Sequence, residues 1–443
     1  MENQNPWWKG KEHIKEDEDF RKWLDSKIKW VPALKNKIKI NLKPFSLHML
    51  FGPRQVGKTT LLKLIINDLL NKVKNPKAIF YFRCDKLADF RELDEVIKEY
   101  LNLKRIEGIK TSYIFLDEIT YVDGWYRTIK WHIDMGNLKN DVLLLTGSLS
   151  MIVRGEVETF PGRRGFGKDW IMWPLSFREF VKITKPEIVN ELPILKNFSE
   201  EEFRMLYSKA KPWLEDLNFL FSIYLKCGGF PLSLRDFLQF RKIKQETLDT
   251  YLSWIKGDLA KLKRSEAIAK RILKAIIQKL PSAYSFHSLA KEFEIKSHRT
   301  VFEYVELFEK LYLCKVLYYI DLNKMEEIFY KERKIHLMDP FLYKLFSDWC
   351  MIEEPKEAYM VESIVASHLA RKYRIGYWKN RKEIDIIIPE KNLGIEIKWQ
   401  ERPKLESPKI GKMKKFINLT KNEFSKDKFA IPVSIFLAGL EIF

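Results

Sequence analysis

Two constellations in this 443-residue chain set residue types at spacings that suit phosphate chemistry. The first is FSLHMLFGPRQVGKTTLLKLI, a short apolar run, a loop and then a helical pattern, within which Gly52 to Thr59 reads G-x-x-x-x-G-K-S/T. Gly52 and Gly57 let the backbone curl around the phosphates of ATP across Pro53, Arg54, Gln55 and Val56, and the following helix adds its positive end. Lys58 is placed to reach the β and γ phosphates and Thr59 to ligate Mg2+, with Thr60 next along the helix. The second constellation lies in EIDIIIPEKNLGIEIKW, residues 383–399, two apolar strand-like runs joined by a turn. Residues two apart on a strand share a face, so Glu396 and Lys398 project together, and hairpin pairing brings Asp385 beside Glu396. Two carboxylates that close repel, and they settle only where a divalent cation or a lysine balances them. Upstream, the amphipathic helical pattern EAYMVESIVASHLARKY sets a third carboxylate, Glu362, among Met360, Val361, Ile364 and Val365. The same acids and lysine also match an amphipathic strand that carries a cross-strand ion pair.

These residues need a frame. YIFLDEI, residues 113–119, reads as an apolar strand ending in two acids, with Asp117 for the Mg2+ shell and Glu118 to polarise the attacking water. DVLLLTGS ends another strand in Thr146 and Ser148, either of which can sense the γ phosphate or simply form a turn. With AIFYFRC (78–84) and WIMW (170–173) there are five strand candidates separated by helical patterns, which predicts a mostly parallel sheet with helices on both faces. Between the last two strands, RGEVETFPGRRGFGKD offers Arg163 or Arg164 as a finger toward the γ phosphate of a neighbouring subunit in a homo-oligomer. That loop also reads as a cationic contact to DNA or as a solvated turn. Residues 187–262 are helical and apolar, with Trp213 and Trp254 at core spacings. SEAIAKRILKAIIQKL, FHSLAKEFEI and SHRTVFEYVELFEKLYL then predict three helices ahead of the strand CKVLYYID, a succession that suits a winged helix. His298 and Arg299 open its third helix, behind Ser297, but Glu303, Glu306 and Glu309 on the exposed face oppose phosphate.

GPRQVGKTT, LDEI followed by VDGW, TGS, GRR, PLSFREF and CGGFP occur here in the order seen in archaeal and bacterial AAA-type ATPases that carry a C-terminal domain of unknown function. The resemblance covers nearly the whole chain, including NPWW at residues 5–8. It implies an α/β fold: a P-loop AAA-type parallel sheet, a helical lid and a C-terminal α/β restriction-endonuclease-like domain. By that likeness Gly229 and Pro231 match the lid signature G-x-P, whose proline lies near adenine, although GGF-P also reads as a helix C-cap followed by a breaker. Glu362, Asp385 and E-x-K resemble the PD-(D/E)xK nuclease core. That resemblance implies that Asp385 and Glu396 bind Mg2+ or Mn2+, that Lys398 orients or activates the water, and that Glu362 supports the metal. Gln400 is expected on the Lys398 face as a weaker helper, and KIGKMKKFINLTKNEFSKDK, with Phe416 and Phe424, as a basic patch or a solvated helix.

Composition frames the rest. With 46% hydrophobic residues the chain is globular and too long for one core, and the expected parts are 1–185 (ATPase), 186–262 (lid), 263–330 (winged helix) and 331–443 (nuclease-like). A net charge of +19 favours a polyanionic partner, DNA above all, over a merely solvated lysine-rich surface. Cys84, Cys227, Cys314 and Cys350 stand far apart without a C-x-x-C, which suits a reducing cytoplasm. No apolar run reaches the length of a membrane span and the N-terminus is no signal peptide, so no membrane partner is expected. The combined expectation is an ATP-dependent DNA-processing enzyme with metal-dependent cleavage; the alternative is a nucleotide-controlled DNA-binding switch that does not cut.

Overall fold

The computed structural model describes residues 1–147, 160–405, 411, 413 and 415–442. The chain divides into two compact units, Met1–Trp173 and Pro174–Phe443. Among the described residues the strands form one five-stranded and one seven-stranded sheet.

In the first unit the five expected strands all form: β1 (Ser46–Phe51), β2 (Ile79–Arg83), β3 (Tyr113–Asp117), β4 (Val142–Thr146) and β5 (Asp169–Ile171). They are parallel throughout, in the order β2-β3-β4-β1-β5. β1 and β4 are buried along their whole length, which is why SLHMLF and VLLLT show little alternation of polar and apolar residues. Because β1 lies next to β4, with β3 beyond it, the loop leaving β1 opens beside the C-terminal ends of both. Helix α1 (Lys58–Leu70) follows that loop and buries Leu61, Leu62, Ile65, Ile66 and Leu69. β2 is an edge strand, and an uncovered edge is a template for pairing with other chains. The N-terminal NPWW covers it. Asn5 takes both backbone groups of Tyr81 (2.7 and 2.9 Å), and the indoles of Trp7 and Trp8 donate to the carbonyl of Ile79.

The second unit starts with helices, among them α2 (Leu214–Cys227), α3 (Pro231–Phe240), α4 (Gln245–Lys261), α5 (Glu266–Gln278), α6 (Phe286–Glu292) and α7 (His298–Lys310). An antiparallel hairpin follows, β6 (Cys314–Asp321) and β7 (Glu326–Leu337), then α8 (Pro340–Cys350) and α9 (Glu357–Ala370). β8 (Gly376–Lys379), β9 (Glu383–Ile388) and β10 (Leu393–Lys398) form an antiparallel meander, and β11 (Lys415–Thr420) and β12 (Ala430–Pro432) continue parallel to β10. The sheet order is β12-β11-β10-β9-β8-β6-β7. The border expected at 330/331 falls inside β7, and β6 pairs with β8 through Tyr318 and Tyr319, so the hairpin also belongs to the larger sheet. Every residue of α9 from Met360 to Leu369 is buried, Glu362, Ser363, Ser367 and His368 included, so the solvent face of the expected amphipathic helix is absent over this stretch. Among the described residues no single helix is long and apolar enough to cross a membrane.

Candidate functional site

The loop after β1 is shaped by two glycines. Gly52 has φ +141°, and a Cβ there would come within 2.2 Å of the Met172 carbonyl oxygen; Gly57, at φ +95°, hands the chain to α1. Gln55 also adopts positive φ. Lys58, almost fully buried, folds its ammonium onto the carbonyls of Gly52 (3.0 Å) and Pro53 (2.9 Å). Asp117, fully buried at the end of β3, gathers three hydroxyl donors: Thr59 at 2.7 Å, Tyr81 at 2.9 Å, and Thr146. The Thr146 hydroxyl in turn accepts from the backbone N–H of Glu118 (2.9 Å), whose left-handed φ of 54° ends the strand. Burial raises the Glu118 carboxyl, and the nearby Lys58 ammonium partly offsets the rise.

Thr59, Asp117, Thr146 and Glu118, named from sequence, are thus assembled around one carboxylate. Tyr81 was not foreseen. Its phenol points along β2 to Asp117 while its ring carries the Lys63 ammonium 3.1 Å from the centroid, and Lys63 is itself paired with Asp17 at 2.8 Å. The available signal was one lysine inside the otherwise apolar face of α1. Arg54 donates to the Tyr121 hydroxyl (2.8 Å). Arg163 is engaged by Asp134 (2.6 Å) and Arg164 by Asp169 (2.9 Å), so both finger candidates bind acids of their own chain. Ser148 lies outside the described residues. Pro231 opens α3 in the second unit, three residues after Gly228, which caps α2 at φ +64°. Asp339 there accepts from the N–H groups of Gly229 and Phe341, both at 2.9 Å.

The acid constellation assembles within the second unit. Pairing of Ile395 with Ile386 continues to set Asp385 opposite Glu396 on one face, and Glu362 reaches the cluster from α9. What balances these acids is lysine. Lys334, on β7 and 1% exposed, lies 2.8 Å from Glu362, 2.6 Å from Glu383 and 3.6 Å from Asp385. Lys398 donates to Glu396 at 2.8 Å, and the other Asp385 oxygen accepts the Ile397 N–H at 2.8 Å. Burial, then the neighbouring Asp385 charge, raises Glu362 to about 8 and Glu396 to about 7. The Lys334 ammonium is held charged by Glu362, Asp385 and Glu383 against the pull of burial. Glu396 Oε2 is buried without a hydrogen-bond partner.

Among the described residues no three His, Cys, Asp or Glu side chains are arranged to hold a metal ion. The expected ligands Glu362, Asp385 and Glu396 therefore come together, but around ammonium groups, and this arrangement does not fit a divalent ion as it stands. Lys334, Glu383 and His336, whose Nδ1 is 2.8 Å from Ser363 Oγ, were missed; the signal was the alternation of Lys334 and His336 within an apolar strand end. Gln400 does not share the Lys398 face, because β10 ends at Lys398 and the Gln400 N–H turns back to its carbonyl (2.9 Å). Residues 415–420 form β11 instead of a helix. Phe416 packs against the sheet core and Phe424 stacks on Tyr207.

Residues 45–181 match a family model described as an AAA domain, and residues 218–349 match a domain of unknown function. No curated protein matches the chain. Among solved structures, the chain is similar to the Aeropyrum pernix ORC2 protein in its ADPNP–ADP complexes, at 11% identity and a TM-score of 0.41, covering 75% of this chain and 98% of that one. It is also similar to the Aeropyrum pernix ORC1 protein in complex with DNA, at 13% identity and a TM-score of 0.30, covering 78% and 96%. AMPPCP-bound DnaA from Aquifex aeolicus follows at 14% and 0.29, covering 62% and 86%. These likenesses are loose, and the chemistry of the site rests on its own residues.

Proposed function

We propose that the chain is an ATPase whose nucleotide state governs its engagement of DNA. The observation that carries the ATPase is the convergence of Thr59, Thr146 and Tyr81 on Asp117, with Glu118 next in sequence and the glycine loop alongside. In this reading the loop from Gly52 to Thr60 binds the phosphates of Mg·ATP, Lys58 leaves the loop carbonyls for the β and γ oxygens, and Thr59 and Asp117 hold the magnesium that arrives with the substrate. Glu118 accepts a proton from the attacking water, and Thr146 links its position to Asp117. Arg163 and Arg164 serve as fingers only if oligomer formation frees them from Asp134 and Asp169. In the test, Glu118→Gln is expected to keep ATP binding while turnover falls about a hundredfold or more. Unchanged hydrolysis would refute the assigned base.

DNA engagement is supported by the net charge of +19 and by the second unit's own surface. Helices α5 to α7 with the β6–β7 hairpin are read as a winged helix. It carries the exposed Arg299 at the start of α7, and Phe329 and Tyr330, 62% and 85% exposed, on the hairpin.

A second reading, metal-dependent phosphodiester cleavage at the acid cluster, requires Lys334 to leave Glu362 and Asp385 first; the one observation in its favour is that Glu396 keeps a buried, unbonded oxygen beside Lys398 and Asp385. Plasmid and branched DNA incubated with Mg2+ or Mn2+, with and without ATP, discriminate the two. Nicking lost in Asp385→Ala supports cleavage, whereas intact DNA that is bound in a salt-sensitive manner leaves the switch.

A further inference from the structure

We infer that Lys334 is the resident cation of the acid cluster, a built-in replacement for a divalent ion that holds α9, β7 and β9 together without metal. Its ammonium touches carboxylates from two other elements: Glu362 from α9, and Glu383 and Asp385 from β9, a strand separated from β7 in the sheet by β8 and β6. The carbon stem brings this charge to a position that is 1% exposed, where an unpaired ammonium would not persist. Glu383 is shared with Lys379 at 3.3 Å, His336 Nε2 stands 3.8 Å from Glu362, and the Tyr377 ring lies 5.7 Å from the ammonium. A divalent ion bound by Glu362 and Asp385 would have to lie against this ammonium, so metal and Lys334 exclude one another.

The experiment uses the full chain without nucleotide. Thermal midpoints are measured in EDTA and in millimolar Mn2+, and Mn2+ binding is followed by electron paramagnetic resonance, for wild type and for Lys334→Met, which keeps the length and removes the charge. Wild type is expected to melt at the same temperature in both solutions and to bind no Mn2+ through this cluster. Lys334→Met is expected to melt several degrees lower in EDTA. It should recover in Mn2+ and bind that ion about tenfold tighter or more than wild type. Wild type that binds Mn2+ and loses it in Asp385→Asn overturns the inference, and this titration decides the matter even if Lys334→Met does not fold. A folded Lys334→Met that is neither weakened in EDTA nor improved as a Mn2+ binder overturns it as well. DNA binding and cleavage are scored separately on the same samples, so failure of the DNA reading leaves a distinct signature: the Mn2+ results stand while DNA is neither bound nor cut.

Discussion

Asp117 illustrates how much of a site rests on one buried carboxylate. Its three hydroxyl donors come from α1, β2 and β4, so its position records the alignment of three elements at once. Tyr81→Phe removes one charge-assisted bond and leaves the ring under Lys63, and is expected to cost about 2 kcal/mol in urea unfolding. A loss well below that would show that the phenol contributes little. Asp339 offers a pH test. Burial, the largest cause, raises its carboxyl from 3.8 to about 7 against the two N–H groups it accepts. A folded value above the unfolded one means that the native state binds the extra proton, so this group's contribution is fully present below pH 3.8 and is lost as pH rises from there through about 7. The thermal midpoint is expected to fall over that window, and to fall less in Asp339→Asn. An equal slope in the two proteins would contradict the assignment.

At the scale of elements, the strands of the first sheet were legible because central parallel strands read as unbroken apolar runs bounded by glycine and acid. The acid hairpin was legible for a different reason: a period of two puts Asp385, Glu396 and Lys398 on one face whatever lies above it. What lies above it was not legible, since Lys334 approaches from β7, a strand that the expected border at 330/331 cut in two and that no local pattern linked to β9. Pairing between distant segments decides such neighbours, and no local period records it. The NPWW segment shows the same limit. It stood out only by likeness, and its physical role, covering the β2 edge through Asn5, depends on a residue 76 positions away. Asn5→Ala leaves two backbone groups of Tyr81 unpaired and is expected to destabilise the protein by about 1–3 kcal/mol, with more aggregation on heating by light scattering. An unchanged unfolding midpoint and unchanged scattering would show that the edge needs no cover.

For the whole molecule, two acid centres on one chain are balanced in different ways. Asp117 is held by hydroxyl groups that a magnesium ion can join, whereas Glu362 and Asp385 are held by a lysine that a metal would have to displace. That contrast supports the proposed nucleotide hydrolysis over metal-dependent cleavage at the second centre, and nucleotide control of DNA binding is the part of the proposal left to test. The direct measurement is fluorescence anisotropy of duplex DNA with Glu118→Gln, titrated over a series of salt concentrations in ATP and again in ADP. The logarithm of the affinity is expected to fall linearly with log salt, and the affinity to differ between the two nucleotides. Equal affinity in ATP and ADP, or no salt-dependent binding in either, would contradict nucleotide control of DNA engagement.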